Sequence, residues 1–150
     1  MTDKPDLKDI EQAAIRLLAT REHTQAELKR KLSARAEIEL IQQVLDSLVA
    51  RNLQSDDRFT EQYIQLRQRK GFGPVRIRHE LKEKGVNPET IDEWLDERDD
   101  AWYQALREAH TRKFGDRKPA DFKEKAKFAR FLEYRGFPSE LIRHFLRNEE

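Results

Sequence analysis

The sequence has no cysteine, one methionine, and only five glycines and five prolines among 150 residues. Without cysteine there can be no disulfide, Cys-ligated zinc, iron–sulfur cluster or thiol nucleophile. So few glycines and prolines cannot supply the many turns of an all-β fold. No apolar run approaches the roughly 18 residues of a membrane span. Residues 1–9 are polar and carry no signal-peptide apolar stretch. A cytoplasmic chain without membrane contact is the expectation. Apolar residues are also scarce, at 37%, whereas charged residues reach 39% against a typical figure of about 25%. The chain therefore has little core and much surface, which suits an elongated helical protein better than a compact α/β enzyme.

What is present is mostly helix-forming. Apolar residues recur at helical spacing: Ala14, Leu17 and Leu18; Leu28 and Leu32; Ile41, Leu45 and Leu48; Tyr63 and Leu66; Ile77 and Leu81; Ile91 and Leu95. The punctuation agrees. Thr24 with Glu27, and Asp121 with Glu124, are spaced as capping boxes. Pro74 follows Gly73 and Pro88 follows Asn87, so each proline falls at a first helical position. Gly85 and Gly136 sit where left-handed helix stops are expected. The reading is all-α, with about nine helices.

An internal repeat organises them. Ile77, Leu81, Gly85, Val86, Ile91, Trp94 and Leu95 correspond to Phe128, Leu132, Gly136, Phe137, Ile142, Phe145 and Leu146, each pair 51 residues apart. Leu28, Leu32, Ile41, Val44 and Leu45 form a weaker copy, in which Ala36 stands at the place of the glycine stop. A further helix precedes each copy. The expected organisation is a flexible N-terminal tail over 1–9 and three-helix repeats over 10–54, 55–98 and 99–150. Stacked in tandem, such units share the core that none can build alone.

The net charge of +1 conceals local imbalance. Between residues 67 and 84 seven cations face two acids, a net of +5. Between 89 and 100 seven acids face one cation, a net of −6. The basic band contains Arg67, Arg69, Lys70, Arg76, Arg78 and Lys82; a second cluster holds Lys123, Lys125, Lys127 and Arg130. Bands of this kind suit phosphates or carboxylates. Phe72 and Tyr134 flank basic residues near turns and are expected to be partly exposed, whereas Trp94, Trp102, Phe128 and Phe145 are expected in the core. Catalytic patterns find no match: there is no phosphate-binding Gly-rich loop, and the four histidines lack metal-ligand spacing.

The run from Arg69-Lys70-Gly71-Phe72-Gly73-Pro74 through Ile77-Arg78-His79-Glu80-Leu81 to Lys84-Gly85-Val86 resembles the signature of the RecX family, bacterial regulators of the RecA recombinase. The stretch from Arg21 to Leu32, Asp56-Asp57-Arg58-Phe59, and Lys125 to Phe137 are similar to other parts of that family. The resemblance implies tandem three-helix repeats that bind RecA, chiefly as its filament on single-stranded DNA. Such proteins lie in the filament's helical groove and oppose growth, ATPase, strand exchange and coprotease action. It implies a protein that is not an enzyme, carries no cofactor and acts as a monomer, with weak or RecA-mediated contact to single-stranded DNA. The ten cations named above are the expected RecA- and DNA-binding residues. Replacing Arg69, Lys70, Arg76 and Arg78 together by Ala is expected to abolish RecA inhibition and leave the fold intact. Two other readings stay open at this point: a helix-turn-helix-like protein binding DNA directly, and a protein-only helical scaffold.

Overall fold

The computed structural model describes residues 6–148. Among them are nine helices: α1 (Leu7–Thr20), α2 (Gln25–Leu32), α3 (Ile38–Ala50), α4 (Asp56–Arg69), α5 (Pro74–Glu83), α6 (Pro88–Trp94), α7 (Ala101–Phe114), α8 (Phe122–Arg135) and α9 (Ser139–Asn148). No strand occurs among the described residues. The expected tail over 1–9 is helical from Leu7 onward, because Asp6 and Asp9 form a reciprocal capping box; residues 1–5 lie outside the described residues.

The helices pack in consecutive triplets, α1–α3, α4–α6 and α7–α9. The accessible surface is 9723 Å², against roughly 8,000 Å² for a compact protein of this mass. That excess is the signature of an extended array. Most of the apolar stripes read from the sequence are buried. Ile10, Leu28, Leu32, Ile41, Leu45 and Leu48 form one cluster in the first unit. A second, continuous cluster runs through the other two units, from Phe59, Ile77 and Leu81 to Phe128, Leu132 and Phe145. Two expectations fail here. Trp94 is 40% exposed, its indole N–H donating to Asp57 at 2.9 Å, and Leu66 is 42% exposed on the outer side of α4. A spacing of three or four places a residue near a core-facing stripe but does not put it at the centre of that stripe.

The units are joined through their second helices. Gly85, which ends α5, has φ +84°, and a Cβ there would lie 2.3 Å from the Cβ of Ala26 in the first turn of α2. Gly136, which ends α8, has φ +98°, and its Cβ would lie 2.3 Å from the Cβ of Arg76 in the first turn of α5. Both glycines are thus required twice, for the left-handed turn and for the close approach of the neighbouring helix. Ala36 is not a glycine stop: its φ is not positive, and it packs against its own unit's core.

The two joints differ in chemistry. Between the second and third units the apolar core is shared. Between the first and second the contacts are polar. The Thr24 hydroxyl donates to the Lys84 carbonyl at 2.7 Å, Arg58 donates to Glu22 at 2.6 Å, and the Gln25 N–H donates to Asp56 at 3.0 Å. The Thr24–Glu27 capping box forms as expected. The one at Asp121 forms only by half: Asp121 accepts from the Glu124 N–H at 2.8 Å, but the Glu124 carboxylate turns instead to Arg117 and the Ala120 N–H.

Candidate functional site

The basic band does not fold as a band. Glu80 draws two of its arginines inward. Arg67 binds it through two nitrogens, at 2.9 and 2.8 Å, and Arg76 at 3.3 Å, while the Tyr63 hydroxyl donates at 2.8 Å. Burial opposes the charged form of Glu80, but the hydrogen bonds from Arg67, Tyr63 and Arg76 outweigh it and hold the carboxyl below the usual carboxylate range. The same burial, with the Glu80 bond, pushes the Tyr63 phenol upward.

Arg78 leaves the band altogether. Its guanidinium donates to Glu97 at 2.7 Å, Asp92 at 2.6 Å and the Leu95 carbonyl at 3.2 Å. The acidic stretch after α5 is therefore not a separate surface, because two of its acids, Asp92 in α6 and Glu97 in the loop after it, lock that segment onto α5. The expectation that Arg76 and Arg78 could be removed without harm to the fold is corrected on this geometry. Arg67, Arg76 and Arg78 are structural groups first. Arg69, Lys70 and Lys82 are exposed, with no ion pair among the described residues.

Cations that the band did not include take its place. The last turns of α4, α7 and α8 converge on Gly71, around a small cleft of about 150 Å³ lined by Lys70, Arg112, Lys113, Phe131 and Arg135, with no carboxylate. Arg112 donates to the Arg69 carbonyl at 3.2 Å and Arg135 to the Lys70 carbonyl at 3.1 Å. Both cap the end of α4, where free carbonyls favour positive charge. Phe72 lies half-buried beneath three guanidinium groups, those of Arg67 at 3.8 Å, Arg76 at 4.5 Å and Arg135 at 4.8 Å from its centroid. Arg112 and Lys113 end α7 and Arg135 ends α8, so only the tertiary fold brings them together around Gly71.

The second cluster is more coherent. Lys123, Lys127, Arg130 and Tyr134 are spaced by four, three and four residues, and all are exposed. They share one face of α8 over a length of about 16 Å. Lys125 lies on another side of the helix and is half-buried. The Tyr134 ring, 74% exposed, carries the Arg76 guanidinium 5.2 Å from its centroid. Three cations in line with an exposed, cation-flanked ring match the chemistry of single-stranded nucleic acid, whose phosphates and base faces such groups bind.

The histidines have structural settings. His23 is buried; its Nδ1 lies 2.9 Å from the Arg21 carbonyl, and its Nε2 lies 3.2 Å from the Lys31 ammonium. Burial is the main reason its pKa is lowered, so the ring is neutral. His110 is wedged among the rings of Phe114, Phe128 and Phe145. His79 pairs with Glu83 at 2.7 Å. Among the described residues no group of three His, Asp or Glu side chains could hold a metal ion, and no helix is long and apolar enough to cross a membrane.

Comparison with known proteins places this geometry. The models of the three RecX helical domains match in order, the first over residues 12–48, the second over 55–95 and the third over 99–146. Regulatory protein RecX of Pseudomonas savastanoi pv. phaseolicola is 43% identical over 138 residues, 91% of this chain and 89% of that protein. Its counterpart in Ectopseudomonas mendocina is 42% identical over 139 residues, 92% and 93% of the two chains. The crystal structure of RecX from Lactobacillus salivarius has a TM-score of 0.81 at 20% identity and covers 96% of both chains. A second RecX crystal structure has a TM-score of 0.72 at 19% identity, over 94% of this chain and 74% of that one. At those identities the two structures speak for the fold alone.

Proposed function

Because the chain belongs to the RecX family of regulatory proteins, we propose that it is a negative modulator of the RecA recombinase. It binds the RecA filament on single-stranded DNA, lies in the filament's helical groove, and opposes growth, ATPase, strand exchange and coprotease activity. In this reading it acts in the cytoplasm as a monomer, without catalysis or cofactor, within DNA repair and the SOS response. Its working units are the three repeats over 10–54, 55–98 and 99–150.

The observation that carries the reading is the set of exposed cations on the second and third units that make no ion pair among the described residues, Arg69, Lys70, Lys82, Lys123, Lys127 and Arg130, the last three in a row on α8. An extended array can meet several protomers at once. Each contact is weak, and covalent linkage of the units multiplies them. Lys125 adds charge beside the row. Arg67, Arg76 and Arg78 contribute by holding the second unit in shape.

The face of α8 favours one accompanying activity, direct contact with the single strand. Readout of duplex DNA by α5 is disfavoured, because a recognition helix needs free side chains and its Arg76 and Arg78 are tied to Glu80, Asp92 and Glu97.

The test is the DNA-stimulated ATPase of the cognate RecA on single-stranded DNA, titrated with this protein. Inhibition at less than one molecule per RecA protomer is expected. An unchanged rate at excess overturns the reading.

A further inference from the structure

The first and second units enclose a cleft of about 530 Å³ that shares only Arg69 with the exposed cations named above. We propose that this cleft is a docking site for a short acidic, amphipathic segment of a partner protein. One side is α4, which presents Phe59, Tyr63 and Leu66 as an apolar floor; the other is the turn before α2, with Arg21 and Glu22, and the end of α5, with Lys84. Leu66 is exposed in the last turn of a helix that is otherwise polar on its outer side.

Charge decides the partner's sign. Arg21 binds Glu27 with two bonds of 3.2 Å, and the Lys84 ammonium lies 3.8 Å from the same carboxylate. Two rim cations thus share one buried acid. Arg69, at the far end of the floor, has no acid among the described residues. Glu22 is matched by Arg58 at 2.6 Å. The rim keeps an excess of positive charge, which an incoming carboxylate would meet.

Protein fits better than nucleic acid. The Tyr63 ring is already stacked on Phe59 at 5.6 Å, has the Lys84 ammonium 5.4 Å away, and donates its hydroxyl to Glu80. It is not free to stack a base. The Glu22 Oε2 atom is buried without a hydrogen-bond partner. Sealed from solvent, that atom offers nothing to a ligand, whereas the Gln62 and Gln65 amides of the lining can bond to a peptide backbone.

Within the function proposed above, the segment belongs to RecA, and that assignment rests on the reading of the family. The cleft itself can be tested apart from RecA. The full chain is titrated with a fluorescein-labelled twelve-residue helical peptide carrying Leu on one face and Glu on the other, and with its Glu→Gln counterpart. The Glu peptide is expected to bind at least tenfold tighter, and Leu66→Asp is expected to abolish the difference while leaving the melting temperature unchanged. Leu66→Gln serves if Leu66→Asp fails to fold. Equal binding of the two peptides, or no loss in the variants, overturns the cleft. Affinity for RecA filaments and for a labelled oligo(dT) is then measured with the same variant. Loss toward filaments with oligo(dT) binding unchanged is expected. Parallel loss toward oligo(dT) would make the cleft a nucleic-acid site and overturn the proposal. Peptide binding without any filament binding by the wild type would overturn the RecA reading and not the cleft.

Discussion

The backbone N–H of Gly73 donates to the carbonyl oxygen of Arg135 at 2.8 Å, joining the first turn of α5 to the last turn of α8. The same joint recurs one unit earlier, where the Thr24 hydroxyl donates to the Lys84 carbonyl. In each case the residue that caps a second helix reaches the carbonyl just before the next unit's glycine stop. The positive end of one helix therefore meets the negative end of the next, a favourable alignment of helix dipoles. The same end-to-end contact, made by a backbone N–H at one joint and a hydroxyl at the other, recurs along the array.

Gly85→Ala tests that joint. It combines positive φ with a contact of 2.3 Å to the Ala26 Cβ, and is expected to lower stability by about 2–4 kcal/mol. Ala26→Gly removes the opposing methyl and alone costs about 1 kcal/mol. The double variant is expected to be more stable than the sum of the two, by about 1–3 kcal/mol in urea unfolding. Strict additivity would mean that the two positions do not touch.

Arg78 and Arg130 look alike in sequence and are expected to behave oppositely. Arg78→Ala removes three charge-assisted bonds and is expected to cost about 2 kcal/mol, seen as a fall in melting temperature of roughly 4–8 °C. Arg130→Ala, on the exposed face of α8, is expected to leave stability within about 0.5 kcal/mol. It weakens filament binding and reduces the salt slope for single-stranded DNA by about 0.7. Equal melting temperatures for the two variants would contradict the distinction.

The contrast shows what the sequence carries. Caps and stops are local, so Thr24 with Glu27, Pro74, Gly85 and Gly136 could be read directly, and with them the nine helices and the repeat. Partnership is not local. Arg78 reaches acids 14 and 19 residues away, across a turn whose path no periodicity describes. Arg112 and Arg135 converge on Gly71 only because α7 and α8 end at the same place. The stripe on α8 was half legible: Lys123, Lys127 and Arg130 already stood together and Tyr134 was expected to be exposed, but the split from Lys125 and the alignment of Tyr134 with the three cations needed the helical phase.

Acid should weaken the protein in two stages. Burial holds His23 below its ordinary 6.5, so as pH falls past 6.5 the unfolded chain takes up a proton first and stability declines. Glu27 is buried and Glu80 half-buried, yet their hydrogen bonds hold them below the ordinary 4.5. Their contribution is complete above 4.5 and is lost as pH falls through the depressed folded values. Melting temperature followed from neutral to about pH 3 should show both declines, and His23→Gln should remove the first. A flat profile down to pH 5 would contradict the placement of His23.

Tyr134→Ala is expected to weaken binding to an oligo(dT) single strand by about 1–3 kcal/mol, with no change in melting temperature. Tyr134→Trp should retain or improve it, because the stacking surface is kept. Fluorescence anisotropy at fixed salt reads both. An Ala variant that binds as the wild type does would remove the ring from the interface.

The joint between units also bears on how such a chain can change over generations. Its hydrogen bonds run to carbonyls, and its side-chain demands are few: a hydroxyl at Thr24, and no side chain at Gly73, Gly85 and Gly136. Surface substitutions therefore leave the frame where it is. The outward faces of α4 and α8 can drift, gain charge or lose it, and be retuned to a partner that is itself drifting, while the spacing between successive units stays constant.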